Sequence, residues 1–151
     1  MKIYCASSWR NKIQPDVVRA LRESKHDVYD FRHPEPENTG FSWEEIDLNW
    51  LKWDVAKFRE VLANSEIAKR GFESDMKALT ECDACVLVLP CGRSSHLELG
   101  YAVGAKKKTA ILLSDASFEP ELMYRMVDNI CLDIPELLGV LDHGNESVRS
   151  V

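Results

Sequence analysis

The run Ala84-Cys85-Val86-Leu87-Val88-Leu89-Pro90 constrains this chain more than any other feature. Every residue from Cys85 to Leu89 is apolar. A strand points alternate side chains to opposite faces, so an uninterrupted apolar strand needs cover on both. A sheet with one face in water cannot hold it. The run therefore predicts a central strand of a parallel sheet with helices on either side.

The rest of the chain supplies the neighbours. Strand-like segments at Lys2–Cys5, Asp27–Phe31, Thr109–Leu113 and Ile130–Leu132 alternate with helical stretches. Helices are expected at Ile13–Ser24, with Pro15 in its first turn, and at Trp43–Leu62, Ile67–Thr80, Ser95–Ala105, Pro120–Val127 and Pro135–Leu141. Arg32–Gly40, with two prolines, an asparagine and a glycine, reads as loop. The class is α/β with a five-stranded parallel sheet. At 151 residues, one domain over 1–141 is expected, followed by a polar, flexible tail over 142–151.

Charge and cysteine usage narrow the function. Nineteen Lys+Arg against twenty-five Asp+Glu leave −6 at pH 7. Such a surface repels a polyanionic backbone, so polymeric nucleic acid is not the expected partner, although a local basic pocket for one small anion is compatible. No apolar stretch is long enough to span a membrane, and the start lacks the apolar run and cleavage site of a signal peptide. Five cysteines, an odd number, argue against a secreted disulfide framework and for a cytoplasmic protein. Cys82-x-x-Cys85 precedes a strand instead of opening a helix, which sets it apart from redox motifs. Cys82, Cys85, Cys91 and His96 make a poor zinc set, because the strand would carry Cys85 and Cys91 apart. Buried reduced thiols are the expectation, with no metal and no cofactor.

In open parallel sheets ligands sit beyond the carboxyl ends of the strands, where strand order reverses. Three loops qualify. Ala6-Ser7-Ser8-Trp9-Arg10-Asn11 offers hydroxyls, backbone N–H groups and a guanidinium, a cradle for phosphate or carboxylate or a polar turn capping the first helix. The second loop carries Arg32 and His33, as pocket lining or solvated surface. The third, Cys91-Gly92-Arg93-Ser94-Ser95-His96, leads into Leu97-Glu98-Leu99. Ser95 and Glu98 fit a capping box. Alternatively, Glu98 is a reacting carboxylate at the working end of the sheet. Asp75, on the helix before the central strand, is either a second carboxylate or a solvated helical residue. Paired carboxylates are the usual apparatus of glycosidic cleavage.

These segments resemble the nucleoside 2-deoxyribosyltransferase superfamily. Lys2-Ile3-Tyr4-Cys5-Ala6-Ser7-Ser8 is similar to its opening strand and loop. Asp83-Ala84-Cys85-Val86-Leu87-Val88-Leu89 is similar to its central strand. Leu97-Glu98-Leu99-Gly100-Tyr101-Ala102, then Gly104 and Lys106–Lys108, resembles its glutamate-bearing helix and the following strand. The superfamily includes 2′-deoxynucleoside 5′-monophosphate N-glycosidases.

The resemblance implies a flavodoxin-like doubly wound sheet, a homodimer or higher oligomer, and a nucleoside or nucleotide substrate. It implies Glu98 as the catalytic nucleophile, Asp75 as the residue handling the base or its proton, and Tyr4 as the residue orienting the glutamate. No cofactor is required. The chain departs from the transferases before the glutamate. They carry an Asp-Ser-Gly-Thr type turn whose acid contacts the sugar 5′-hydroxyl, whereas here stand Gly92, Arg93, Ser94, Ser95 and a bulky His96. With Ser7, Ser8 and Arg10, these residues favour a 5′-phosphate over a free hydroxyl. The insert around Trp43–Leu62 is longer than in the smallest relatives and is read as a lid or as core. A non-catalytic nucleotide sensor, or a hydrolase of another N-glycosidic bond such as that of NAD, would use the same loops.

Overall fold

The computed structural model describes residues 1–114 and 118–143, in two compact units: Met1–Asp30 with Glu81 onward, and Phe31–Thr80. The first unit holds the sheet. Its strands are β1 (Lys2–Ala6), β2 (Asp27–Asp30), β3 (Ala84–Val88), β4 (Lys108–Leu112) and β5 (Asn129–Cys131). All pair in parallel, in the order β2-β1-β3-β4-β5. This is the doubly wound flavodoxin-like arrangement. From β1 the chain goes outward to β2, then returns across to β3, so the order reverses between β1 and β3.

Burial explains the order. All five residues of β3 are buried, as its apolar run requires of the central position. One face presents Ile3, Cys5, Val28, Ala84, Val86, Val88, Ala110, Leu112 and Cys131. Helix α1 (Gln14–Glu23) covers it with Val17, Val18 and Leu21, and α5 (Ile134–His143) with Leu137 and Leu141. Spacings of three and four residues put those α1 side chains on one stripe. Each fully buried Leu or Val contributes about 1.5–3 kcal/mol relative to exposure. The opposite face carries the row Tyr29, Tyr4, Cys85 and Thr109, aligned by register across four strands. Helix α4 (Arg93–Gly104) packs there through Ser95, Leu99 and Ala102.

Several elements end elsewhere than the sequence pattern suggests. Strand β3 stops at Val88, not Pro90, because the Val88 carbonyl is taken by side chains from the β1–α1 loop. Helix α4 begins at Arg93, two residues before Ser95, with Gly92 as its N-cap. The expected Pro120–Val127 helix is a 3-10 turn over Leu122–Met126. It ends where Asp128 is drawn to Thr109, whose N–H and hydroxyl both donate to the carboxylate (2.9 and 3.1 Å). Helix α5 continues through His143, so Asp142 and His143 are helical, and 144–151 of the expected tail lies outside the described residues.

The second unit corrects the expected long helix over Trp43–Leu62. Its first part is broken into 3-10 turns at Trp43–Glu45 and Trp50–Lys52, and only α2 (Val55–Asn64) is helical. Local side-chain bonds win over the helical spacing of the tryptophans. Ser42 and Glu45 form a capping box, Asp54 caps α2, and Trp53 Nε1 donates to Asp47 at 2.7 Å. That last bond holds the Asp47 carboxyl below its ordinary value, with the Asn49 N–H helping. Trp43 meets Phe41, Trp53 and Phe58 edge to face, so these aromatics form a small cluster. Helix α3 (Glu66–Glu81) leads from this unit toward β3.

Candidate active site

The switch point falls between the carboxyl ends of β1 and β3, and the loops leaving those strands are bonded to each other. Ser7 Oγ donates to the Val88 carbonyl (2.8 Å), and Ser95 Oγ on α4 donates to the Ser7 carbonyl (2.6 Å). Asn11 Nδ2 donates to the carbonyls of Val88 (3.3 Å) and Pro90 (3.0 Å). Its Oδ1 accepts from the N–H groups of Ile13 (2.9 Å) and Gln14 (2.8 Å) at the start of α1. Ser7, Asn11 and Ser95 are all buried.

This network changes what the expected anion-binding residues can do. A hydroxyl has one proton to give. Those of Ser7 and Ser95 go to backbone carbonyls, so both side chains brace the loops. The capping box expected for Ser95 and Glu98 does not form: Ser95 is the third residue of α4 and faces Ser7. The first loop does reach the entry of α1, through Asn11, whose Oδ1 takes the N–H groups of the N-cap residue Ile13 and the first helical residue Gln14. Ser8 is half-buried, and its Oγ accepts from Arg10 N–H at 3.2 Å.

The start of α4 is built differently. No side chain caps it; Gly92, Arg93 and Ser94 are exposed there, as Arg10 is on the first loop. An uncapped helix N-terminus presents backbone N–H groups and a partial positive charge, the usual complement of a phosphate.

Glu98 lies in the second turn of α4, one turn beyond Ser95 and not in the first turn, and it is half-buried. Its charge reaches the sheet. It helps burial push the Cys85 thiol well above its ordinary value, and it contributes likewise at Cys91. Cys85 is the register partner of Tyr4 on the same face. Tyr4 is buried and stacks on Tyr29, with ring centroids 5.3 Å apart. The structure thus gathers Glu98, Tyr4 and Cys85 around the α4-facing side of β1 and β3. Asp75 sits half-buried on α3 in the other unit. Arg32 and His33 open that same unit, Arg32 lying 5.8 Å over the Phe31 ring.

His96 has a partner that sequence reading missed. Its Nδ1 bonds to the Gly92 carbonyl at 2.9 Å, and a carbonyl only accepts, so Nδ1 carries the proton. In the neutral ring, Nε2 then accepts from the Tyr124 hydroxyl at 2.7 Å. The two rings are nearly parallel with centroids 5.8 Å apart. Burial, aided by the charges of Cys91 and Glu121, pushes the Tyr124 phenol up, which keeps it a donor. Nothing in the local pattern around Tyr124 marks it; only the fold brings the β4–β5 connector to α4.

The cysteines behave as packing residues. Burial raises the Cys82 thiol and pushes Cys91 and Cys131 up to about 11. Redox cysteines need the opposite shift. Among the described residues there is no group of three or more His, Cys, Asp or Glu side chains fit to hold a metal ion.

No protein-family model matches the chain, and no curated protein matches it. Solved structures do. A 2-deoxyribosyltransferase from Bacillus psychrosaccharolyticus, described as suited to the synthesis of antiviral and antitumoral nucleosides, superposes with a TM-score of 0.63 at 16% identity. The match covers 91% of this chain and 90% of that one. A CMP N-glycosidase from Clostridium botulinum superposes with a TM-score of 0.53 at 19% identity, covering 94% and 98% of the two chains. The flavodoxin-like fold expected from the resemblance is therefore shared with these two solved structures.

Proposed function

We propose that the chain cleaves or transfers the N-glycosidic bond of a deoxynucleoside 5′-monophosphate, with Glu98 as the nucleophile. The observation that carries this reading is the position of Glu98. It is a half-buried carboxylate one turn into the helix that starts at the switch point, with Tyr4 and Cys85 on the facing strands. The shared fold with a 2-deoxyribosyltransferase and a CMP N-glycosidase supports the same reaction class.

The chemistry follows from the residues. A Glu98 oxygen attacks the anomeric carbon, and the carbon–nitrogen bond breaks with its electron pair leaving on the base. The departing base takes a proton, a role assigned to Asp75 on the resemblance of its place before β3. Water, or a second base, then attacks the anomeric carbon and frees Glu98. A 2-deoxy sugar lacks an electron-withdrawing hydroxyl, so the oxocarbenium-like transition state forms more readily. The phosphate is assigned to the uncapped start of α4, with Gly92 and Ser94, and to Arg10 and Arg93; Ser8 lies on the same loop as Arg10.

Two further expectations rest on this reading. A homodimer is supported by the exposed apolar side chains of α4 and the β4–β5 connector: Leu97, Tyr101, Leu122 and Met123. Sedimentation equilibrium tests it, and a monomer at micromolar concentration refutes it. A cytoplasmic setting is supported by five free cysteines. No helix among the described residues is long and apolar enough to cross a membrane.

The deciding experiment incubates the protein with pooled deoxynucleosides and deoxynucleotides and separates the released bases by chromatography. Release that disappears in Glu98→Gln supports the mechanism. Ligand-induced thermal stabilisation without turnover points instead to a sensor, and nicotinamide release from NAD to a different glycosidic bond.

A further inference from the structure

We propose that Asn11 is the positioning residue for the α4 glutamate, an inference that rests on the reading of Glu98 as the reacting carboxylate. Asn11 is 3% exposed, and its side chain donates to two carbonyls and accepts from two N–H groups. Those four bonds divide by direction. The two accepted by Oδ1 hold the Ile13 and Gln14 N–H groups at the entry to α1, a task that the acceptors of Asp or Ser also perform. The two donated by Nδ2 go to Val88 and Pro90, the carbonyls on either side of the exit from β3. A cap alone has no use for them. At this reach only asparagine has both donors and acceptors.

The donated bonds close a ring. From Asn11 it runs to Val88 and Pro90, through the turn into α4, from Ser95 back to the Ser7 carbonyl, and from Ser7 Oγ to Val88 again. Ser95 lies three residues before Glu98, on the neighbouring turn of the same helix. Movement of the Leu89–Gly92 turn therefore carries Glu98 with it. Reaction rates are steep in such displacements: a shift of ~1 Å at a reacting group costs up to about a hundredfold.

Asn11→Asp separates the two jobs. It keeps the acceptor facing the Ile13 and Gln14 N–H groups and replaces Nδ2, which carries both donors, with one oxygen facing the two carbonyl oxygens. Hydrogen exchange is expected to rise in residues 89–96 while α1 stays protected and circular dichroism is unchanged. At pH 8 kcat for base release is expected to fall about ten- to hundredfold, with a smaller change in KM. As pH falls, the acid regains an O–H donor, so the ratio of variant to wild-type kcat recovers. A purely structural brace in a protein that stays folded does not give that pH-dependent ratio.

An unchanged kcat overturns the proposal, and so does a loss that acid does not reverse. Should Asn11→Asp fail to fold, the neutral Asn11→Ser, which keeps the cap and loses one donor, carries the test: wild-type kcat in it overturns the proposal. If the wild-type chain releases no base, the reaction assigned to Glu98 fails separately. The exchange experiment then still decides the clamp, and unchanged exchange in 89–96 overturns it.

Discussion

Helices α1 and α4 leave neighbouring strands at the same edge of the sheet, yet their first turns are built for opposite purposes. Their ends are alike. Each closes with a lysine in the left-handed region, Lys25 (φ 67°) and Lys106 (φ 58°). The lysine's own N–H and the next one fold back on the last turn in the same pattern, Lys25 to Arg22 and His26 to Leu21, then Lys106 to Val103 and Lys107 to Ala102. Their beginnings differ. Asn11 satisfies the entry N–H groups of α1, and Pro15 removes another donor. α4 opens on an exposed glycine with no side-chain cap. One start is sealed into the core and the other is left facing solvent. The difference teaches that Ser7 and Asn11 of the first loop serve as structure, and that the proposed phosphate site draws on the open start of α4.

The largest test of this contrast is Glu98→Gln. It is nearly isosteric and removes the proposed nucleophile, so kcat for base release is expected to drop by at least ~10³-fold with little change in melting temperature. Comparable loss of stability would move Glu98 from the reactive side of the comparison to the structural side.

Making α4 begin like α1 comes next. A Cβ at Gly92 meets nothing within 4 Å, and its φ of −92° suits any residue. Gly92→Asp is therefore expected to cap α4, adding a few tenths of a kcal/mol in urea titration. Its carboxylate also occupies the N-terminus proposed to hold the phosphate, so KM for a nucleotide is expected to rise about tenfold, while KM for the unphosphorylated nucleoside changes less. Equal effects on both would break the assignment of the phosphate to α4.

Cys91, just before that helix, should react slowly. Its pKa, raised from 9.0 to about 11, lowers the thiolate fraction at pH 7 by roughly a hundredfold. Part of this is offset by the greater nucleophilicity of a more basic thiolate, leaving alkylation by iodoacetamide about tenfold slower than for a free thiol. The rate should climb with pH up to about 11. Rapid alkylation at pH 7 would revive the redox reading of the cysteines.

The smallest effect is expected for Tyr124→Phe. It keeps the stack on His96 and loses one hydrogen bond, costing about 0.5–1.5 kcal/mol by denaturant titration. A change in KM without that loss of stability would bring the pair into the binding site.

The residues themselves explain what could be read in advance. The β3 run has one solution, a strand covered on both faces, so the parallel sheet was legible from five side chains. The resemblance singled out Glu98 and Tyr4 as candidates, because their segments keep a recognisable order. Ser7 and Ser95 were legible as important but not in their role, since a serine that cradles an anion and one that braces a carbonyl look identical in a string. Asn11 lay in a loop already singled out. Its signal was an asparagine two residues before Ile13 and three before Gln14, at the start of a helix, and it pointed only to the helix entry. The tryptophan spacing over Trp43–Trp53 was misleading because local side-chain bonds broke the helix that the periodicity suggested.

The sequence by itself determined the layers of this protein: hydrophobic burial is set by which residues are apolar and how they are spaced, and both are written in the chain. Tertiary structure alone decided where each polar proton goes. Ser95 meets Ser7 across 88 positions, Asn11 meets Pro90 across 79, and Tyr124 meets His96 across 28. A hydrogen bond depends on a few tenths of an ångström and on direction, and only the closed sheet brings those pairs within reach.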